Sequence, residues 1–168
     1  MKIKNNVFPT GHYTSANADS YLQKYIKKGD SVLDVGTGTG ILSILAKKYG
    51  AGRVLAVDLN EDAVECAKEN AEEYGFDIEV KKNYLNFDIE EKFNIVVANL
   101  DANPAMEFLQ YAKNSMKENS ILILTWWDGW ECKDIPIKLD FDVIEHTDGF
   151  EYNTYVLKLG EKDVKTDF

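Results

Sequence analysis

VLDVGTGTG, residues 32–40, is the stretch of this chain that decides its fold. An apolar, strand-forming run is followed by glycines at alternate positions (Gly36, Gly38 and Gly40), and an amphipathic helical pattern begins at Ile41. A strand, a glycine turn and a helix in this order place backbone N–H groups around a ligand at the N-terminus of the helix. Glycine is required there because a Cβ atom would block the ligand and exclude some of the backbone dihedrals.

The spacing of the glycines excludes two other nucleotide-binding loops. The dinucleotide fingerprint G-x-G-x-x-G would need a glycine at Ile41 or at Ser43. A Walker loop would need a lysine directly after its last glycine, and the first lysine here is Lys47, well inside the predicted helix. The remaining alternative to a ligand loop is a glycine-rich turn that serves only helix–strand packing.

Strand and helix patterns alternate from about residue 18 to about residue 118, which predicts an α/β fold with a mostly parallel sheet. Predicted strands lie near 31–35, 54–57, 77–81, 94–98, 121–125, 141–147 and 152–158. Predicted helices lie near 17–28 and 41–49, after an N-cap at Asn60, and from Asn103. The predicted buried face of the helix after Asn60 comprises Val64, Ala67, Ala71 and Tyr74. The last two strands form a predicted hairpin, so the final strand is expected to be antiparallel.

The composition fits one globular domain of a cytoplasmic protein. The chain has 168 residues, of which 45% are hydrophobic. No apolar run approaches the roughly 20 residues of a membrane span, so no membrane partner is expected. Cys66 and Cys132 are isolated in the sequence, which favours reduced thiols and no metal site. We expect a single domain over residues 1–160 and a frayed, charged tail over residues 161–168.

The net charge of −10 disfavours a nucleic acid as the partner. A protein that grips duplex nucleic acid usually shows a basic stripe. Here the lysine pairs, such as Lys27-Lys28 and Lys81-Lys82, are scattered among a larger number of acids. A basic protein or a small amine fits this charge better.

Asp34 stands two residues before Gly36 and completes a D-x-G-x-G-x-G pattern. This pattern resembles motif I of the class I S-adenosylmethionine (SAM) methyltransferases. The resemblance implies a Rossmann-like fold with a seven-stranded, mostly parallel sheet, an antiparallel last strand and helices on both faces. It also implies SAM as the cofactor, bound by the motif residues Asp34, Gly36, Thr37, Gly38 and Gly40.

Further candidate cofactor residues stand where the next two strands end. Asp58 ends the second strand, where an acid can accept hydrogen bonds from both ribose hydroxyls of an adenosine. Leu59 would then pack on the adenine face. At the end of the third strand Asn83 is the candidate for the adenine amino group, and Tyr84 is a candidate stacking neighbour. The alternatives are a helix-entry aspartate at 58 and a plain turn asparagine at 83.

Two stretches resemble a narrower group, the ribosomal-protein methyltransferases of the PrmA type. VVANL (96–100) is similar to a stretch of that family, and FPTGHYTS (8–15) resembles a divergent form of its GTGxHxTT segment. The resemblance implies that residues 1–16 cover the cofactor, with Thr10 and Gly11 near its methionine part. The resemblance covers most of residues 8–127. We expect this chain to lack room for the separate N-terminal domain of that family, so the ribosomal protein is not predicted as the acceptor.

The implied chemistry is displacement at the SAM methyl group by an amine. Asn99, also a cofactor candidate, would hold the amine through its side-chain carbonyl. His12 is a candidate base, since a histidine has a reference pKa of about 6.5, and a positioning role is the alternative. Trp126, Trp127 and Leu100 are candidates for a substrate pocket at the rim of the sheet, with core packing as the alternative for the tryptophans.

Together these features predict a SAM-dependent methyltransferase that acts on a nitrogen atom of a protein or of a small-molecule amine. One alternative is a SAM-binding scaffold or partner subunit without catalysis. A further alternative is an RNA methyltransferase, which the acidic composition disfavours.

Overall fold

A computed structural model describes residues 16–127, 141–148 and 152–160 of the chain. The strands are β1 (Val32–Val35), β2 (Val54–Asp58), β3 (Glu79–Lys82), β4 (Phe93–Asp101), β5 (Met116–Trp127), β6 (Phe141–Asp148) and β7 (Tyr152–Leu159). The helices are α1 (Ala16–Tyr25), α2 (Ile41–Lys48), α3 (Glu61–Tyr74) and α4 (Ala102–Tyr111), the last followed by a 3₁₀ turn (Ala112–Ser115).

The strands form one seven-stranded sheet in the order β3-β2-β1-β4-β5-β7-β6. β7 runs antiparallel to both of its neighbours, and the pairs from β3 to β5 are parallel. The predicted sheet with its antiparallel last strand is therefore confirmed. The strand order reverses at β1, which lies between β2 and β4. In open α/β sheets a crevice forms at such a point, outside the carboxyl ends of the strands.

Helices cover both faces of the sheet, as predicted. Because side chains alternate along a strand, Val32 and Leu33 of β1 point to opposite faces. The Val32 face packs against α1 and α2 through residues such as Leu22 and Leu42. The Leu33 face packs against α4 through residues such as Phe108. All four residues of β1 are buried, which explains why this strand has no polar alternation in its sequence.

Two expectations about the elements differ from the structure. The predicted burial of Tyr74 is wrong, since this side chain is 45% exposed. The buried face of α3 ends at Ala71 and includes Asn70, a polar residue that the apolar pattern omits. β5 begins at Met116 and not near residue 121. The apolar pattern missed its first residues, because Lys117, Glu118 and Asn119 are polar and exposed and Asn119 has a φ of +60°.

None of the helices in the described ranges is both long and apolar enough to cross a membrane. The predicted covering segment (1–16) lies outside the described residues except for its last residue, and the predicted tail (161–168) lies entirely outside them. The bounds of the expected domain therefore stay predictions.

Candidate functional site

The glycine loop at the end of β1 has the backbone conformation that its sequence predicts. Gly36, Gly38 and Gly40 all have positive φ, at 73°, 57° and 82°. Residues with a Cβ atom rarely adopt this conformation. The N–H groups of Gly36 and Thr37 both donate to the carbonyl of Val57, at 2.9 and 3.0 Å, which ties the loop to β2.

Two of these glycines also allow close packing. A Cβ atom at Gly36 would lie 2.7 Å from Leu100 Cδ2 and 3.2 Å from the carbonyl oxygen of Asn99. A Cβ atom at Gly40 would lie 3.1 Å from the Cβ of Ala67 on α3. Packing thus accounts for glycine at both positions. The argument for a ligand therefore rests on the polar groups around the loop.

Asp58 joins three elements at the carboxyl edge of the sheet. Its Oδ2 accepts the N–H of Gly38 and its Oδ1 accepts the N–H of Asn60, each at 2.9 Å. Its main-chain carbonyl accepts the N–H of Asn83, also at 2.9 Å. The bond to the N–H of Asn60, the N-cap of α3, also fits the alternative role of Asp58 as a helix-entry aspartate. A carboxylate has about four acceptor positions, so two remain that suit a pair of ribose hydroxyls.

Asp34 is a buried carboxyl group directly below the loop, with an exposed fraction of 1%. Its Oδ2 accepts hydrogen bonds from the hydroxyls of Thr37 and Ser43, both at 2.7 Å. Its Oδ1 is buried and has no partner among the residues that the structure describes. An unsatisfied buried carboxylate oxygen is costly, and a cationic or N–H-bearing ligand would satisfy it. This orphaned oxygen fits SAM, which carries both an ammonium and a sulfonium group.

Burial raises the pKa of Asp34 to about 6, against the opposing effect of the Ser43 and Thr37 hydroxyls and with a further increase from the charge of Asp58. Because the folded pKa lies above the ordinary value of 3.8, the folded chain binds this proton more tightly than the unfolded chain does. The stability that the group contributes is complete below the ordinary value and is lost as the pH rises through 6.

We therefore expect Asp34→Asn to change how stability depends on pH. The free energy of unfolding of the variant, minus that of the wild type, should rise by about 2–3 kcal/mol between pH 4 and pH 7. Urea denaturation at several pH values in the absence of ligand measures this difference. A difference that stays constant over this range would show that Asp34 ionises as freely in the folded chain as in the unfolded one.

The adenine candidates lie beside Asp58 but differ in their contacts. Leu59 follows Asp58 directly and is 57% exposed, so its side chain is open to a ligand. The Asn83 side chain donates through Nδ2 to the carbonyl of Phe87 at 2.7 Å, which leaves its own carbonyl as the acceptor for an amino group. The hydroxyl of Tyr84 donates to Glu107 on α4, so the hydrogen bond of this residue is directed to α4 and not to the glycine loop.

Asn99 lies next to the glycine loop, near the end of β4. Ala98 pairs with Val35, the residue before Gly36, so Asn99 is one step further along the same edge. It is in register with Thr125 of β5, whose buried hydroxyl lies 2.9 Å from that of Thr154 on β7. The structure thus brings Asn99 close to the candidate cofactor residues.

Two of the substrate candidates, Trp126 and Leu100, pack against the core of the sheet. Trp126 is fully buried and stacks on Tyr155, with ring centroids 4.7 Å apart, which supports the core-packing alternative. Leu100 is half-buried and packs against the core below Gly36. Trp127 is the last residue of β5.

Residues 10–12 of the N-terminal segment lie outside the described part of the chain. The roles of Thr10 and Gly11 at the cofactor, and of His12 as a base or positioning residue, therefore stay predictions. Within the described residues, no group of three His, Cys, Asp or Glu side chains is placed to hold a metal ion.

One residue at the site has no counterpart among the sequence-based candidates. Asn70 of α3 is fully buried and donates through Nδ2 to the carbonyl of Thr39 in the glycine loop, at 2.8 Å. The available signal in the sequence is its position between Ala67 and Ala71, on the side of the helix that carries the apolar residues. A polar residue there is either at the edge of the buried face or bonded inside it, and only the fold distinguishes the two.

Residues 7–125 match the sequence profile of the family described as Ribosomal protein L11 methyltransferase (PrmA). A ribosomal protein L11 methyltransferase of Thermosipho africanus is 38% identical over 153 residues, which cover 90% of this chain and 58% of the relative. One from Caldicellulosiruptor bescii is 41% identical over 158 residues, covering 94% of this chain and 52% of the relative. The chain thus spans about half the length of the curated relatives that it matches.

Solved structures show the same fold. The crystal structure of a ribosomal protein L11 methylase from Lactobacillus delbrueckii subsp. bulgaricus superposes with a TM-score of 0.80 at 25% identity, covering 89% of this chain and 80% of that one. The PH0226 protein from Pyrococcus horikoshii superposes with a TM-score of 0.73 at 21% identity, covering 91% and 96%. The second similarity concerns the fold alone.

Proposed function

Because this chain belongs to the ribosomal protein L11 methyltransferase (PrmA) family, whose members use SAM as the cofactor, we propose that it methylates a nitrogen atom of a protein or of a small-molecule amine. The observation that carries the proposal is the pair of carboxyl groups at the glycine loop. Asp58 holds Gly38 and has acceptor positions left, and the buried Asp34 has an oxygen without a partner among the described residues.

The residues that would hold SAM follow from these contacts. Asp58 would accept the ribose hydroxyls, Leu59 would cover the adenine, and the Asn83 side-chain carbonyl would accept its amino group. The positively charged methionine part of SAM would satisfy the Oδ1 of Asp34. SAM supplies a methyl group on a sulfonium, which is already a strong electrophile. The task of the protein is then mainly to align the reacting groups.

Asn99 is the residue proposed to hold the acceptor amine. A side-chain carbonyl can accept an N–H hydrogen bond from the amine and direct its lone pair towards the methyl group. His12 would receive the proton that the amine loses, or would only position a neighbouring group.

A protein acceptor is favoured by two observations. The relatives are named for a ribosomal protein. The net charge of −10 also attracts a basic partner through long-range electrostatics. A small-molecule amine remains as the second acceptor class, and methylation of RNA is opposed by the same charge.

Calorimetry with SAM and with NAD tests the proposed cofactor. We expect the wild type to bind SAM and not NAD, because the glycine spacing lacks the dinucleotide register. Asp58→Ala should weaken SAM binding about 30-fold, since it removes charge-assisted hydrogen bonds. Asp77→Ala is the matched control, because this exposed carboxylate precedes β3 and lies at the amino end of the strand, whereas the glycine loop lies at the carboxyl ends. The affinity of this variant for SAM should equal that of the wild type. Binding of NAD with no response to SAM would refute the proposal.

Methyl transfer from radiolabelled SAM into a fractionated cell extract identifies the acceptor class. Label in a protein or small-amine fraction is the expected result. Tight SAM binding with no labelled acceptor in any fraction would favour the non-catalytic scaffold. Label in RNA, with binding that weakens steeply as salt is added, would favour the RNA methyltransferase.

A further inference from the structure

We propose that Asn70 is a positioning residue that holds the glycine loop in the conformation that binds the cofactor. The identity of the cofactor rests on the function proposed above. The hydrogen bond that defines this role is internal to the chain and can be tested without any ligand.

The side-chain amide of Asn70 forms hydrogen bonds, although asparagine does not favour the helix in which it lies. Its Nδ2 donates to the carbonyl of Thr39 at 2.8 Å and lies 3.6 Å from the Sγ of Cys66. Asparagine is a poor residue for the interior of a helix, and burying an amide without a partner is costly. A leucine or alanine would suit the buried face of α3 better, so the amide is explained by the loop carbonyl that it binds.

The bond from Asn70 completes the fixing of one peptide plane. The carbonyl of the Thr39–Gly40 peptide is held by Asn70, and the N–H of the same peptide donates to the carbonyl of Thr37 at 2.9 Å. A peptide unit is rigid and planar, so holding both ends fixes its orientation. Without the amide this plane can rotate more easily, since Gly40 follows it and tolerates either sign of φ.

The bond also complements the anchor at Asp58. Asp58 Oδ2 holds the N–H of Gly38 on one side of Thr39, and Asn70 holds the carbonyl on the other side. Gly40 packs against Ala67, one helical turn before Asn70, so the loop lies directly on α3. The helix and its entry turn together fix the loop over three successive residues.

A loop fixed before binding needs no cofactor binding energy to order it. If only a fraction of the molecules holds the correct loop conformation, the apparent dissociation constant rises by the inverse of that fraction. Loss of the Asn70 amide should therefore weaken SAM binding, whereas a general loss of stability should not.

The test compares two variants of Asn70 with a control on the same helix. Asn70→Leu keeps the number and branching of the side-chain heavy atoms and removes the donor. Asn70→Asp keeps the shape and presents an acceptor to the Thr39 carbonyl. Val64→Ala is the control, because Val64 packs in a cluster with Ala56, Ala67 and Val80 and its apolar side chain offers the loop no hydrogen bond. The measurements are the dissociation constant for SAM by calorimetry and the exchange rate of the Gly40 amide proton in ligand-free protein by NMR.

For Asn70→Leu we expect the SAM dissociation constant and the Gly40 exchange rate each to rise about tenfold. Asn70→Asp should show at least the same changes. Val64→Ala should lower the thermal midpoint and leave both quantities unchanged. Failure of the wild type to bind SAM would refute the proposed function, and Gly40 exchange would still test the hydrogen bond. An unchanged exchange rate in both Asn70 variants, or faster exchange with unchanged SAM affinity, would overturn the positioning role.

Discussion

Gly36→Ala is expected to abolish SAM binding and to lower the thermal midpoint by about 10 °C. The left-handed backbone at a φ of +73° costs a residue with a Cβ atom about 1–2 kcal/mol. The new Cβ would also lie 2.7 Å from Leu100 Cδ2 and 3.2 Å from the main-chain carbonyl of Asn99, and such overpacking costs about 1–3 kcal/mol. Because the Asn99 contact is backbone, the loop must move instead, and it then loses its position over Asp34. Thermal denaturation and calorimetry with SAM measure the two effects.

The chain offers a matched control for this variant. Gly75, at the end of α3, has the same φ of 73°, and a Cβ added there would meet nothing within 4 Å. Gly75→Ala should therefore show only the conformational cost, about 1–2 kcal/mol, with SAM affinity unchanged. Equal losses of stability in the two variants would mean that the contact with the end of β4 is unimportant.

Asn99→Ala is expected to reduce methyl transfer at least about 100-fold while leaving most of the SAM affinity. The reason is that alanine cannot accept the N–H of the acceptor amine, so the nucleophile is no longer aligned with the methyl group. Radiolabel transfer at saturating SAM, together with calorimetry, separates the two quantities. Asn103→Ala is the control, since Asn103 is an exposed asparagine in the first turn of α4, and it should behave as the wild type.

Two results would contradict this assignment of Asn99. Undiminished transfer in Asn99→Ala would remove the residue from the acceptor site. A parallel loss of transfer and of SAM binding would make Asn99 a cofactor residue only. Asn99→Asp keeps an acceptor oxygen and should retain more activity than Asn99→Ala.

The local parts of the fold and of the site could be predicted from the sequence. The alternate glycines 36, 38 and 40 indicated positive φ, and the structure has it at all three positions. The N-cap at Asn60 is confirmed by its bond to the N–H of Asp62 at 2.8 Å. These features depend on residues within a few positions of each other, so their physical causes are written in the neighbouring sequence.

Features that depend on distant contacts could not be predicted in the same way. Tyr74 and Asn70 both lie on α3, and helical spacing assigned the buried face to the tyrosine. The structure exposes the tyrosine and buries the asparagine. Asn70 can be buried because its side chain binds the main-chain carbonyl of Thr39, which lies 31 residues earlier in the sequence. Trp126 similarly finds its stacking partner, Tyr155, on a strand that pairs with β5 only after the chain has turned back.

The three contacts of Asp58 described above have a consequence for the motion of this corner of the molecule. The glycine loop, the N-cap of α3 and the residue after β3 are all bonded to Asp58, so opening any one of them breaks a bond to the residue that holds the other two. Such a region is expected to unfold locally as one cooperative unit. A ligand held by the Asp58 carboxylate would then slow the opening of all three segments together, even where it touches only one of them.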